Sequence, residues 1–179
     1  LAIGLMVLTF AVAEGSANDW LSLAIIDGYD ERHWVGVAGY ALFVTAMTSG
    51  RLIGPIALDR YGRRAVLWAS AGAVAAGTLL TVLGGGLVLA AVGIVVWGLG
   101  ASLGFPVGMS AAADDPVRSA ARVSVVATVG YAAFLTGPPL LGALGDRVGT
   151  LDALLAVTVL MAPAAVAVLA VRSPHSTPS

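Results

Sequence analysis

Apolar residues in this chain run in stretches of about twenty, the length that carries a helix across hydrocarbon, and the polar residues collect in the gaps between them. Six such stretches can be read, at about residues 1–26, 35–58, 65–83, 84–108, 123–145 and 153–171. At about 1.5 Å of rise per residue, a helix of this size crosses the roughly 30 Å apolar layer of a bilayer. The expected fold class is therefore all-α integral membrane: a six-helix transmembrane bundle over residues 1–172, with a polar tail, 173–179, expected to be disordered and cytoplasmic. The uncharged fourth run continues to Ala113, too long for one perpendicular span, so a kink at Pro106 with an exposed end is expected. The fifth contains Gly137, Pro138, Pro139 and Gly142 and should bend.

Composition agrees and adds an orientation. The chain is 59% hydrophobic and 11% charged, with a net charge of -1 that hides a strong arrangement in space. Six spans place alternate loops on opposite sides. Arg51, Arg60, Arg63, Arg64, Arg118, Arg122 and Arg172 then fall on one side, and Arg32 and Arg147 on the other. The arginine-rich side is expected to be cytoplasmic, with both ends of the chain, in the cell (inner or plasma) membrane. The basic residues are all arginine, which with the abundant alanine, glycine and valine fits a bacterial coding bias. Cysteine is absent, which excludes disulfides, thiolate metal sites and cysteine nucleophiles. The chain starts at Leu1, already inside a spanning stretch, so an upstream part is expected and a cleaved signal peptide is not.

The residues between the second and third stretches carry the most specific pattern: Gly50-Arg51-Leu52-Ile53-Gly54-Pro55-Ile56-Ala57-Leu58-Asp59-Arg60-Tyr61-Gly62-Arg63-Arg64. Gly62 permits a positive φ, so a tight turn is expected there, and Arg60, Arg63 and Arg64 anchor it at an anionic membrane surface, each worth on the order of 1 kcal/mol. Arg51, in the last two turns of the second span, can snorkel outward. The pattern resembles the loop signature of the major facilitator superfamily, a glycine followed by Asp-Arg-x-Gly-Arg-Arg after the second helix of each six-helix half. One departure is that Pro55 stands where the family's glycine usually does, with Gly54 one step earlier. The Gly137-Pro138-x-x-x-Gly142 element resembles the family's glycine-proline motif, with Leu141 in place of one residue of the usual glycine pair. The stretch Glu14-Gly15-x-x-x-Asp19-Trp20 looks like the start of helix seven in a bacterial subgroup. The resemblance implies half of a 12-helix fold, helices seven to twelve, and a non-enzymatic secondary transporter without cofactors. Its implied partners are membrane lipids, a small-molecule substrate and a missing N-terminal six-helix half, with no nucleic acid. It also implies that Asp59 and the arginines form a cytoplasmic charge network that locks one conformation. Arg51 and Arg63 are the expected partners of Asp59.

The first span holds the strongest candidate site. Glu14, Asn18 and Ser22 recur at intervals of four and form a polar stripe on one helix face, while Asp19 points elsewhere with Trp20. A carboxyl at mid-membrane costs roughly 2.5–3.5 kcal/mol on insertion scales, so it faces a cavity or a partner. Two readings stand for Glu14: a proton-coupling carboxyl, its helix face loosened by Gly15 and Ser16, or a neutral structural carboxyl bonded to a neighbouring helix. No arginine is expected at mid-membrane, which leans against a strongly anionic substrate. Gly100, Gly104 and Gly108, four apart, are read as a close-packing stripe rather than a nucleotide loop. Asp114 and Asp115 lack a third ligand and are read as solvated loop acids rather than a metal site. No catalytic or metal-binding group is expected. Against transport by alternating access stand a membrane sensor or scaffold that keeps the fold, and a truncated remnant.

Overall fold

A computed structural model describes residues 2–115 and 117–169; the expected tail, 173–179, lies outside them. The described residues form helices and turns, with no strand among them. The helices are α1 (Ala2–Tyr29), α2 (His33–Leu83), α3 (Leu87–Ala101), α4 (Gly104–Ala113), α5 (Ser119–Val148), α6 (Thr150–Ala153) and α7 (Leu155–Val168). Among the described residues, four units are long and apolar enough to cross a membrane: α2, α3 with α4, α5, and α6 with α7. α1 is 28 residues long, and the polar run from Glu14 to Trp20 dilutes its hydropathy.

α2 has 51 residues, which would extend to roughly 75 Å if straight, more than twice the apolar layer. It is interrupted at Gly62, whose φ of 77° and ψ of 159° are open to glycine and closed to side-chain-bearing residues. The contacts of its two arms show what the interruption does. Along the first arm, Gly39 faces Ile94, Gly50 faces Ser102 and Gly54 faces Leu103, so it runs parallel to α3. Along the second, Gly77 faces Gly93 and Trp97, while Gly100 faces Ser70 and Val74, so it runs antiparallel. The chain therefore reverses at Gly62. The α1–α2 corner is as economical: Asp30 takes a left-handed φ of 53°, and the Glu31 N–H donates to Ile26 O at 3.0 Å, a Schellman ending.

The long α3–α4 unit breaks at Ser102–Leu103, a turn earlier than the kink expected at Pro106. The reason is the proline itself. Its nitrogen has no hydrogen for the carbonyl four residues back, and its ring pushes against that carbonyl, which belongs to Ser102. α5 continues as one helix through Pro138 and Pro139.

α1 sits at the centre and touches every other helix. Phe10 packs on Gly104 and Val7 on Gly108, so two of the three glycines in the expected packing stripe seat α4 on α1, while Gly100 seats α3 on the second arm of α2. A Cβ at Gly100 would lie 2.7 Å from the Val74 backbone nitrogen and 2.8 Å from the Ser70 oxygen, so any larger residue would force the helices apart. Trp97, fully buried, meets Phe43 edge-on with centroids 5.5 Å apart.

Gly62 and Gly72 both have open space where a Cβ would be added, but only Gly62 has a positive φ. Gly62→Ala is therefore expected to destabilise by about 1–3 kcal/mol through backbone strain alone. Gly72→Ala, on a helix, is expected to be neutral or to stabilise by about 0.5–1 kcal/mol. Thermal unfolding of both variants in detergent checks this, and equal effects would contradict the turn geometry.

Candidate functional site

Glu14 lies midway along α1 with its side chain only 12% exposed, and its Oε1 accepts a hydrogen bond from Arg51 Nη2 at 2.9 Å. Arg51 was expected near the end of its span, snorkelling outward. The first arm of α2 instead continues helically to Tyr61, so Arg51 stands about 15 Å of helix rise before the break at Gly62. From there its side chain turns toward α1. Its Nε also reaches Ser102 O at 3.4 Å, the carbonyl that Pro106 leaves without its helical donor. One guanidinium thus joins α1, α2 and the α3–α4 break. Gly50 makes this possible, because a Cβ there would lie 2.5 Å from Ser102 Oγ.

The rest of the expected stripe does not join this node. Asn18 and Asp19 are exposed and Ser22 is half-buried. α1 is unbroken at Gly15 and Ser16: Ser16 Oγ donates to Val12 O at 2.6 Å, and Gly15 gives the Phe134 ring room to approach, 3.1 Å from where a Cβ would be. Trp20 does the work further along, donating from Nε1 to Pro138 O at 3.1 Å with its ring over Gly142. Gly137 faces Val12. Gly137, Pro138 and Gly142 are thus the docking surface of α5 for α1.

The arginines around Gly62 find partners other than those expected. Arg63 donates to Asp114 Oδ2 and, at 2.8 Å, to Ser110 Oγ, tying the turn to the end of α4. Arg64 donates to Leu169 O at 2.8 Å and caps the end of α7. Arg60 lies 5.4 Å from the Tyr61 ring centroid. Asp59 is exposed and makes no ion pair among the described residues, so the expected Asp59–Arg51 and Asp59–Arg63 contacts are replaced by Glu14–Arg51 and Arg63–Asp114. Asp59 and Arg63 are four apart and would meet on a continuous helix, but the Gly62 reversal falls between them. Leu103 packs on Gly54, so the glycine beside Pro55 admits the α3–α4 break. A cleft of ≈ 540 Å³ runs from Arg51 past Asp59 to Arg63 and Ser110.

Asp115 is a structural acid rather than a merely solvated one. It accepts the N–H groups of Val117 at 3.1 Å and Arg118 at 3.2 Å, and Arg122 Nη1 lies 3.4 Å from its Oδ2. Those two N–H groups first, then the guanidinium groups of Arg122 and Arg118, hold its carboxyl below the ordinary aspartate value. Asp114, read as a solvated loop acid, is instead the partner of Arg63, and Ser110 was not marked at all, since each meets Arg63 across about fifty residues of chain.

Comparison with known proteins gives one consistent result. The family profile of the Major Facilitator Superfamily matches residues 2–179. "Membrane protein MosC" of Rhizobium meliloti is 31% identical over 170 residues, covering 93% of this chain and 42% of the relative. An uncharacterized MFS-type transporter of Yersinia pestis is 32% identical over 78% of this chain and 37% of its own length. An uncharacterized transporter of Sinorhizobium fredii is 33% identical over 80% of this chain and 38% of its own length. The chain thus spans about two-fifths of the curated relatives it matches. No solved structure matches.

Because Asp115 is held below its ordinary value of 3.8, it contributes stability that is fully present above that pH and is lost as pH falls through the depressed folded value. Asp115→Asn should lower the thermal midpoint at pH 7 and flatten the acid-side decline below about pH 4. Parallel melting curves for the two proteins from pH 7 down to pH 3 would contradict this.

Proposed function

The chain belongs to the major facilitator superfamily, a family of membrane transporters, and on that footing we propose that it is the C-terminal six-helix half of a secondary active transporter. The proposed activity is movement of a small solute across the cell membrane by alternating access, with Glu14 as the proton-coupling carboxyl. The Glu14–Arg51 pair is the observation that carries this reading. It sits midway along the helix that touches all others, and a charged pair in a spanning segment is costly enough to mark a functional site. The six spans are α1, the two arms of α2, α3 with α4, α5, and α6 with α7. Successive segments alternate in direction, and the reversal at Gly62 supplies the division that the length of α2 alone hides.

In this reading Gly62, Arg63, Asp114 and Ser110 lie at the cytoplasmic face, and their contacts form a lock that opens when the half rocks against its partner. Asp59 and Arg60, exposed beside it, are available to the missing half. Asn18 and Ser22, on the helix face of Glu14, are proposed to line the approach to it from the opposite side of the membrane.

The orientation is checked by single cysteines in this cysteine-free chain, at Tyr61 and at Asp30, both exposed. In the full-length protein in intact cells, impermeant maleimide is expected to label position 30 from outside and position 61 only after permeabilisation. Labelling of both from outside would overturn the span assignment. For coupling, Glu14→Gln mimics the protonated form with little change of volume. The full-length variant should insert, fold and exchange substrate, yet fail to accumulate it against a gradient under an imposed pH difference. Accumulation at the wild-type level would leave Glu14 a structural residue.

A further inference from the structure

Glu14 and Arg51 differ in one chemical respect that constrains what the site can hold. A carboxyl can be neutralised by taking a proton, whereas a guanidinium stays charged under any condition a protein meets. In the geometry seen, the pair is balanced: one carboxylate oxygen accepts one guanidinium N–H at 2.9 Å. If Glu14 takes a proton, Arg51 keeps its charge far from either end of the helix and has only the neutral Ser102 carbonyl, at 3.4 Å, as its remaining acceptor. The guanidinium then loses its ion-pair partner, and an anion entering from the open side can take the vacated place.

The structure leaves room for it. The Arg51 side chain is 43% exposed while that of Glu14 is 12% exposed, so the guanidinium rather than the carboxylate is the accessible partner. Arg51 lines the ≈ 540 Å³ cleft with the acid Asp59, with Ser110, and with Arg63, which is already paired with Asp114 and donates to Ser110 Oγ, so Arg51 is the cation that protonation of Glu14 would free. The planar fork of a guanidinium is shaped for a carboxylate, and Glu14 occupies only one Nη.

We propose that Arg51 is the receptor for an anionic, carboxylate-bearing substrate, which takes the place of the Glu14 carboxylate when Glu14 is protonated. This rests on the proton-coupling role proposed for Glu14 and adds the substrate class. It replaces the leaning against a strongly anionic substrate, which assumed that no arginine stood at mid-membrane. Proton and substrate favour each other by necessity. A carboxylate on Arg51 removes the counter-charge that keeps Glu14 ionised, and a proton on Glu14 frees the guanidinium. Each proton then enters with one negative charge, so the combined step at the site carries no net charge.

Binding to the purified full-length protein tests this, read as the thermal midpoint shift against ligand concentration. The probes are lactate and benzoate, each beside its uncharged amide, at pH 5.5 and pH 8. In the wild type the half-saturating carboxylate concentration should be at least tenfold lower at pH 5.5, and the amides should give no shift. Glu14→Gln should bind both carboxylates at either pH with the tighter value. Arg51→Gln in the Glu14→Gln background removes both charges together, leaves no lone carboxylate to compromise folding, and should lose the shift. Carboxylate binding that survives in the double variant, equal shifts from acids and amides, or no shift in Glu14→Gln would each overturn the inference. The coupling role fails separately: Glu14→Gln that binds carboxylate tightly but still accumulates solute under a pH difference retains the anion site and loses the coupling.

Discussion

A backbone carbonyl that proline has stripped of its helical partner is the point on which the middle of this molecule depends. Pro106 cannot donate to Ser102 O, and inside an apolar layer water is not there to replace the missing N–H. The helix breaks into α3 and α4, and Arg51 supplies a donor from the facing arm of α2. Arg51 in turn needs a negative charge at that depth, and Glu14 on α1 provides it. Breaking any one of the three leaves another without its partner.

Close packing lets the three elements meet. Lipid tails are as apolar as leucine, so helices in a membrane gain by backbone approach rather than by escape from water. Gly50 seats Ser102, Gly54 seats Leu103, and Gly104 and Gly108 seat Phe10 and Val7, placing α2 and α4 on either side of the Glu14–Arg51 pair. On the opposite flank, Gly137, Pro138 and Gly142 receive Val12 and Trp20, which locks α5 to the same helix. α1 is therefore both the core of the bundle and the carrier of its buried carboxyl.

Much of this is legible in the chain before folding, and the failures have a common cause. Long apolar runs, the Gly62 turn and the singular position of Glu14 follow from local pattern, because length, glycine and a lone carboxyl in an apolar run are local properties. The partners do not. Arg51 and Glu14 are separated by 37 positions, and Arg63 and Asp114 by 51, so neighbourhood favoured Asp59 for both arginines. Gly62 turns the chain between Asp59 and Arg63, while Arg51 lies more than two turns back from Asp59. The displaced kink has the same origin. Proline was visible at 106, but its effect falls four residues earlier, on the carbonyl it cannot serve. Gly15 and Ser16, weak helix formers by propensity, sit in an unbroken α1, where Phe134 packs against one and the other bonds back to Val12.

A double-mutant cycle on Glu14 and Arg51, read as unfolding free energy of the full-length protein in detergent, tests the central contact without reference to any substrate. Glu14→Gln and Arg51→Gln should each destabilise, and together they should cost less than the sum of the two by more than about 0.5 kcal/mol, since each single change leaves a charge without its partner. Because Arg51 is partly exposed, the expected coupling lies nearer the low end of the range for contacting residues, about 0.5–3 kcal/mol. Additive effects would show that the two side chains act independently and would contradict the account at its centre.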